Sequence, residues 1–281
     1  MSPEALKALH AQTQNEAKIA KEEGVQVLGT VIMNDMKEHL VKTQNMDPIQ
    51  SEIQGAKIAE QTETVVRDQK WNVVLALDRS GSFQDEYEQG LVEAIVTRFS
   101  GIATQFDADG DIDVYLFHNG VKKKANLTLK NFETYIQNEF RNEGYGGTSY
   151  AVPIRQITQD WKAPSNGLPT FVIFLTDGDN NSDKSGEAEG ALTEASNSPI
   201  FWFFVGMDSK YRGGGLMDEA TVKAKFPVLA NLDDIAGRKV DNADSMGLAG
   251  HEAFSKSDVM NKMFSEAPRW LMEARSLGIQ K

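Results

Sequence analysis

The sequence predicts an α/β protein: a doubly wound, mostly parallel sheet with helices on both faces, preceded by an α-helical N-terminal extension. Three observations carry this expectation. Almost wholly apolar runs of strand length occur at Trp71 to Leu77 (WNVVLAL), Phe171 to Leu175 (FVIFL) and Ile200 to Val205 (IFWFFV). Such runs, lacking polar alternation, suit strands buried on both faces. Segments with helical character lie between them, and strands alternating with helices give a parallel sheet its crossovers. The first 68 residues differ in kind: they contain no Phe, Trp or Tyr and are rich in Gln, Lys, Glu and Ala. The expected division is therefore 1–68 as the extension and 69–281 as the α/β domain.

In the extension, Leu28, Ile32, Met36 and Leu40 recur at every fourth residue and share one helical face. Asp47-Pro48 reads as a second helix start, with Asp as N-cap, Pro at the first helical position and Gln50 three residues after the cap. These narrow apolar faces suit docking on the main domain, self-association as a homo-oligomer, or capture of a partner. In the domain, the first strand ends at Asp78 and Glu88 to Phe99 reads as a helix. Asp109-Gly110 is a turn before a second strand, Ile112 to Phe117. Val121 to Leu129 alternates like an edge strand, and its run Lys122-Lys123-Lys124 reads as a solvated edge that blocks further pairing. Helices are expected over Phe132 to Phe140, Ser149 to Trp161 and Ala188 to Ser196. Gly213-Gly214-Gly215 reads as a mobile loop, Phe226 to Leu232 as a weak strand, and Ser257 to Ala274 as a closing helix that Pro268 can kink.

A net charge of −12, spread along the chain, argues against a general nucleic-acid grip, which needs clustered Lys and Arg. Without cysteine there are no disulfides, zinc-thiolate sites or thiol chemistry. The N-terminus lacks a basic stretch followed by an apolar one, and Val25 to Met33 falls far short of the ~20 apolar residues of a membrane span. The expectation is a soluble, cytoplasmic protein.

Three short pieces fit one metal site: Asp78-Arg79-Ser80-Gly81-Ser82, Gly147-Thr148-Ser149 and Thr176-Asp177-Gly178. They offer two carboxylates (Asp78, Asp177) and three hydroxyls (Ser80, Ser82, Thr148). Hard oxygens suit Mg²⁺, with Mn²⁺ or Ca²⁺ as alternatives, rather than zinc or copper. In an open α/β sheet, ligands bind beyond the carboxyl ends of strands where the strand order reverses. Asp78 and Asp177 each follow such an end. Gly81 permits a tight turn, and Gly146-Gly147 lets the backbone approach closely before Thr148.

With those residues in view, the chain resembles the von Willebrand factor A (vWA) domain family over roughly residues 70 to 275. The family's metal-ion-dependent adhesion site (MIDAS) uses an Asp-x-Ser-x-Ser loop, a separate Thr and a separate Asp, matched here by Asp78, Ser80, Ser82, Thr148 and Asp177 in order. Within the family it looks most like the A domain of TerF-like tellurium-resistance proteins, on the stretches GYGGTSYAVPI, FLTDGDNNSD, FWFFVGM and LDDIAGRKVDNAD. Phe83 departs from the family, where Met is commoner. The resemblance implies Ser80, Ser82 and Thr148 as direct ligands of Mg²⁺, Asp78 and Asp177 acting through waters, and a partner protein's carboxylate in the sixth position. It also implies a setting in tellurite or general stress resistance. Arg79 is expected to point away from the metal into a surface ion pair.

Competing readings are weaker. Singly, Asp78 and Thr148 could be helix caps and Asp177-Gly178 a turn. EF-hand-like calcium loops fail at 177–188, where Ser182 and Ala188 replace the required Gly and Glu, and at 107–112, where Ile112 stands in the Gly position. They read as solvated acidic loops. A metal-dependent hydrolase would use Ser80 with His118 as base, but there is no Gly-x-Ser-x-Gly elbow or P-loop, and an Asp nucleophile would want a second carboxylate where Ser80 stands. The expectation is an interaction module rather than an enzyme, with an assembly subunit oligomerising through the N-terminal helices as a third class.

Overall fold

The computed structural model describes residues 1–19, 22, 68–103, 107–178, 180–211, 215–249 and 257–280. Residues 3–19 form helix α1. Thereafter come β1 (Asn72–Asp78), α2 (Gln84–Glu88), α3 (Leu91–Ala103), β2 (Asp113–Phe117), β3 (Val121–Lys123) and α4 (Tyr135–Phe140). Next are α5 (Ala151–Trp161), β4 (Thr170–Thr176), α6 (Glu187–Ala195) and β5 (Ile200–Met207). The order closes with α7 (Glu219–Lys225), α8 (Pro227–Asp234), β6 (Ala243–Leu248) and α9 (Ser257–Ser276).

The six strands form one sheet in the order β3-β2-β1-β4-β5-β6. All neighbours pair in parallel except β2 and β3. Every residue of β1, β4, β5 and β6 is buried, as a parallel sheet covered on both faces requires. On one face, Val73, Leu75, Ile173 and Phe203 pack with Ile95 and Phe99 of α3 and with Trp270 and Leu271 of α9. On the other, Val74, Val172, Phe174 and Phe204 pack with Ile154, Leu192, Val222 and Leu229 of α5 to α8. After β1 the chain winds outward through β2 and β3, then returns to lay β4 on the opposite side of β1. The order therefore reverses between β1 and β4, which opens a crevice at their carboxyl ends.

Helix α1 docks on the domain. Leu6 and Ala17 join the first buried cluster, His10 stacks on Phe132 at 4.7 Å, and Lys7 pairs with Glu133 at 3.5 Å. The backbone of α3 comes so close that a Cβ on Gly101 would meet the His10 carbonyl at 2.9 Å. The face spanning Leu28 to Leu40, the helix start at Asp47 and the glycines 213 and 214 lie outside the described residues.

Several local expectations are corrected. Phe226 to Leu232 is not a strand: Pro227 opens helix α8, which buries Leu229, Ala230 and Leu232. Proline lacks the N–H that a strand ladder would use, while its φ suits a helix start. The sixth strand is instead ADSMGL, paired in register with β5 from Trp202↔Ala243 onward. Helix α7 also escaped the sequence reading, although Asp218 caps it by accepting from the Thr221 N–H at 2.7 Å. The expected helix from Glu88 is broken into α2 and α3 at Gly90, whose φ is +72°. The third strand stops at Lys123, with only an isolated bridge, Ile112↔Leu127, beyond it. Its lysines are not simply solvated: Lys122 and Lys124 both reach Glu143 at 2.8 Å, and Lys123 pairs with Asp113 at 2.5 Å.

Candidate metal centre

Burial of β1 carries Asp78 to the carboxyl end of the strand, where its side chain is fully buried. Both oxygens accept hydrogen bonds, Oδ1 from the Ser80 N–H at 2.7 Å and Oδ2 from Thr176 Oγ1 at 2.6 Å. Burial pushes the Asp78 carboxyl up to about 7; the Thr176 hydrogen bond opposes this and the nearby Asp177 charge adds to it. The chain then rises out of the fold, with Ser80 buried and Ser82 exposed. Their hydroxyl oxygens lie 3.1 Å apart, so the two side chains converge as their spacing suggested.

The Thr148 loop is stitched to this turn by its backbone. Ser80 bridges Gly146, the Gly81 N–H donates to the Gly146 carbonyl at 2.9 Å, and the Gly146 N–H donates to the Arg79 carbonyl at 3.3 Å. Close approach demands the two glycines. A Cβ on Gly146 would sit 2.7 Å from Asn119 Oδ1, and one on Gly147 would sit 2.6 Å from Ser182 Oγ. Thr148 is fully buried, and its Oγ1 has no hydrogen-bond partner among the described residues. A buried hydroxyl without a partner is rare and is commonly satisfied by an ion or water. Asp177 follows β4, whose Leu175 lies opposite Leu77 of β1, so the two aspartates meet at the reversal of strand order. Among the described residues no three His, Cys, Asp or Glu side chains gather to hold a metal. The candidate donors are three hydroxyls and two carboxylates.

The loop after β4 is structural rather than merely solvated, which the sequence reading missed. Asn181 Oδ1 accepts from the Thr148 N–H at 2.9 Å, and the Thr148 carbonyl accepts from the Ser182 N–H at 2.8 Å. Asp183 accepts from the Tyr150 and Ala151 N–H groups at 2.9 and 2.8 Å and from Ser149 Oγ, so it caps α5 from a distant segment. Asp107 likewise closes a turn, accepting from the N–H groups of Val73, Asp109 and Gly110.

The environment of Arg79 is also a correction. It is only 7% exposed and, among the described residues, forms no surface ion pair. Its guanidinium lies against the rings of Tyr145 and Tyr87, 3.9 and 4.3 Å from their centroids, where those two rings meet edge-on, and donates to the Phe140 and Glu143 carbonyls. The hydrolase pairing is not formed: Ser80 Oγ pairs with Ser82, while His118 Nδ1 faces Asn119 Oδ1 and the Gly120 N–H.

The vWA-TerF-like family, described as a vWA domain found in the TerF C terminus, matches residues 70–280. The chain belongs to this family. This TerF-like chain is 28% identical over 213 residues to the uncharacterized protein YcbR of Bacillus subtilis (strain 168), across 74% of its own length and 80% of YcbR. Solved structures similar to the TerF-like chain include a von Willebrand factor type A protein from Catenulispora acidiphila, at 14% identity and a TM-score of 0.48 over 71% of this chain and 43% of that one. Proximal thread matrix protein 1 of the mussel byssus, solved with a zinc-occupied MIDAS motif, gives 15% identity and a TM-score of 0.48 over 71% and 48%. The matches thus span less than half the length of those two proteins. Among the described residues of the TerF-like chain, no helix is long and apolar enough to cross a membrane.

Proposed function

We propose that this vWA domain is a metal-dependent protein-interaction module that binds an acidic side chain of a partner through a Mg²⁺-occupied site. The observation that carries the reading is Thr148 Oγ1, buried and without a partner among the described residues, on a loop whose Gly146 is bonded to the turn where the Ser80 and Ser82 hydroxyls converge. In this reading Ser80, Ser82 and Thr148 are the direct ligands. Asp78 and Asp177 act through waters, which suits Asp78, since both of its oxygens already accept protein hydrogen bonds. When bound, the cation supplies an electrophilic centre whose shell an incoming Asp or Glu completes, neutralising charge. The chain's own residues do the rest: Thr176 and the Ser80 N–H orient Asp78, and Asn181 and Gly146 hold the Thr148 loop in place. Mn²⁺ or Ca²⁺ would suit the same oxygens. A role in tellurite or stress resistance, and a cytoplasmic location, belong to this proposal by family. So does the division into a helical extension over 1–68 and the A domain over 69–281, with residues beyond α1 available for self-association.

The test is a titration of Mg²⁺ into the protein by calorimetry, joined to pull-downs from host lysate in Mg²⁺ and in EDTA. Wild type should bind Mg²⁺ and retain a partner only when the metal is present. Asp78→Ala should weaken the metal most, because it removes charge at the floor of the site. Unchanged Mg²⁺ affinity in that variant would sink the site assignment.

A further inference from the structure

We propose that Arg79 is a positioning residue, a clamp that sets the Thr148 loop against the Asp78-to-Ser82 turn; its consequence for the metal rests on the function proposed above. Arg79 stands between Asp78 and Ser80 and touches the end of β2, α2 and the run from Phe140 to Gly146 that leads to Thr148. Its N–H donates to the Phe117 carbonyl at the end of β2, and its carbonyl accepts from Gly146. Its guanidinium holds the segment from Phe140 to Tyr145 at three points: the Phe140 carbonyl at 3.4 Å, the Glu143 carbonyl at 3.3 Å and the Tyr145 ring. From below it rests on Tyr87 of α2, whose hydroxyl donates to the Asp78 carbonyl at 2.7 Å. Tyr145 is 37% exposed and Thr148 lies three residues further on, so the clamp covers the run-up to the proposed ligand. Lys122 and Lys124 grip the Glu143 carboxylate from the sheet edge and fasten the other side of that segment.

The demands on the residue are specific. It must lie against two rings set nearly at right angles to each other while one of its terminal nitrogens donates to two carbonyls. A planar guanidinium does both, whereas a lysine ammonium is a point charge that cannot stack as a plane. Removing a group that orients metal ligands typically lowers metal affinity about 10- to 100-fold.

Arg79→Lys and Tyr145→Leu test the clamp, with Trp270→Phe as a control. Trp270 stacks near Trp71, at the opposite end of β1 from Asp78, so its change loosens the core without touching the loops. Amide exchange is followed in metal-free protein, and Mg²⁺ affinity is measured by calorimetry. Arg79→Lys should raise exchange across residues 141–148, leave β4 and β5 protected, and weaken Mg²⁺ about ten-fold. Trp270→Phe should change neither loop exchange nor Mg²⁺ affinity. If Arg79→Lys does not fold, Tyr145→Leu removes one of the two ring contacts, at the surface, and reports the same two quantities. Wild-type-like exchange across 141–148 in a folded variant would overturn the clamp. Raised exchange there, in a protein whose wild type binds no Mg²⁺, would support the clamp and overturn the metal reading instead.

Discussion

Thr176 Oγ1 donates a 2.6 Å hydrogen bond to Asp78 Oδ2, joining the carboxyl ends of the two parallel strands between which the strand order reverses. The same hydroxyl oxygen lies 2.9 Å from the Tyr150 hydroxyl and accepts from the Gly178 N–H at 3.2 Å. One side chain thus ties the Asp78 floor to α5 and to the turn after Asp177. Thr176→Val keeps the shape and removes these bonds. It should lower stability by about 1–3 kcal/mol, since buried partners are left unsatisfied. Urea unfolding measures this, and a midpoint equal to wild type would show that the network contributes nothing.

Thr148→Ala should behave in the opposite way. The hydroxyl it removes has no partner among the described residues, so unfolding should change by less than about 1 kcal/mol. Metal-dependent partner capture should be lost. Capture retained in Mg²⁺ and abolished by EDTA would move the binding site elsewhere.

Phe226 seats its ring against three glycines at the ends of β4, β5 and β6. A Cβ would lie 2.5 Å from the ring at Gly178, 2.6 Å at Gly206 and 3.0 Å at Gly247. Gly206→Ala should therefore cost about 1–3 kcal/mol by overpacking. Adding Phe226→Leu, which shortens the obstructing side chain, should recover part of that loss in a double-mutant cycle. Additive losses would mean that the two sites do not touch.

Asp233 provides a pH prediction away from the metal loops. Burial pushes its carboxyl up to about 7, and the neighbouring Asp244 charge adds to this, while Ser245 and Lys262 oppose it. Asp234 lies beside it, and Lys223 of α7 reaches Asp234 at 3.8 Å. Since the folded state holds this proton more tightly than the unfolded chain, its stabilising contribution is complete below about pH 4 and is lost as pH rises through 7. Asp233→Asn keeps an acceptor for the Ser245 hydroxyl, which donates at 3.0 Å. It should be more stable than wild type at pH 8, on the order of 2 kcal/mol, with the difference vanishing near pH 4. Thermal melts across that range check the sign, and a variant that is weaker at pH 8 would refute it.

The sheet was legible because buried parallel strands leave an unmistakable pattern. WNVVLAL, FVIFL and IFWFFV cannot be solvated on either face, and each proved to be a central strand. The candidate oxygen donors stand out in the sequence because each lies just beyond such a strand or a Gly-Gly pair. ADSMGL could not be read this way: it carries Asp244 and Gly247, and it becomes a strand only because β5 offers it an edge. Phe226 to Leu232 misled for the converse reason, since a short apolar run fits strand and helix alike and Pro227 was the deciding cue.

Local patterning thus established the α/β class, the central strands, the glycine turns and the identity of the candidate donors, because all of these depend on residues adjacent in the chain. It could not reveal that Arg79 lies against both Tyr87 and Tyr145, that Asp183 caps a helix more than thirty residues earlier, or that Thr148 Oγ1 is left without a partner among the described residues. Those relationships join segments brought together only when β4 returns beside β1, and the burial and hydrogen bonding of a polar group depend on which distant atoms fill the space around it.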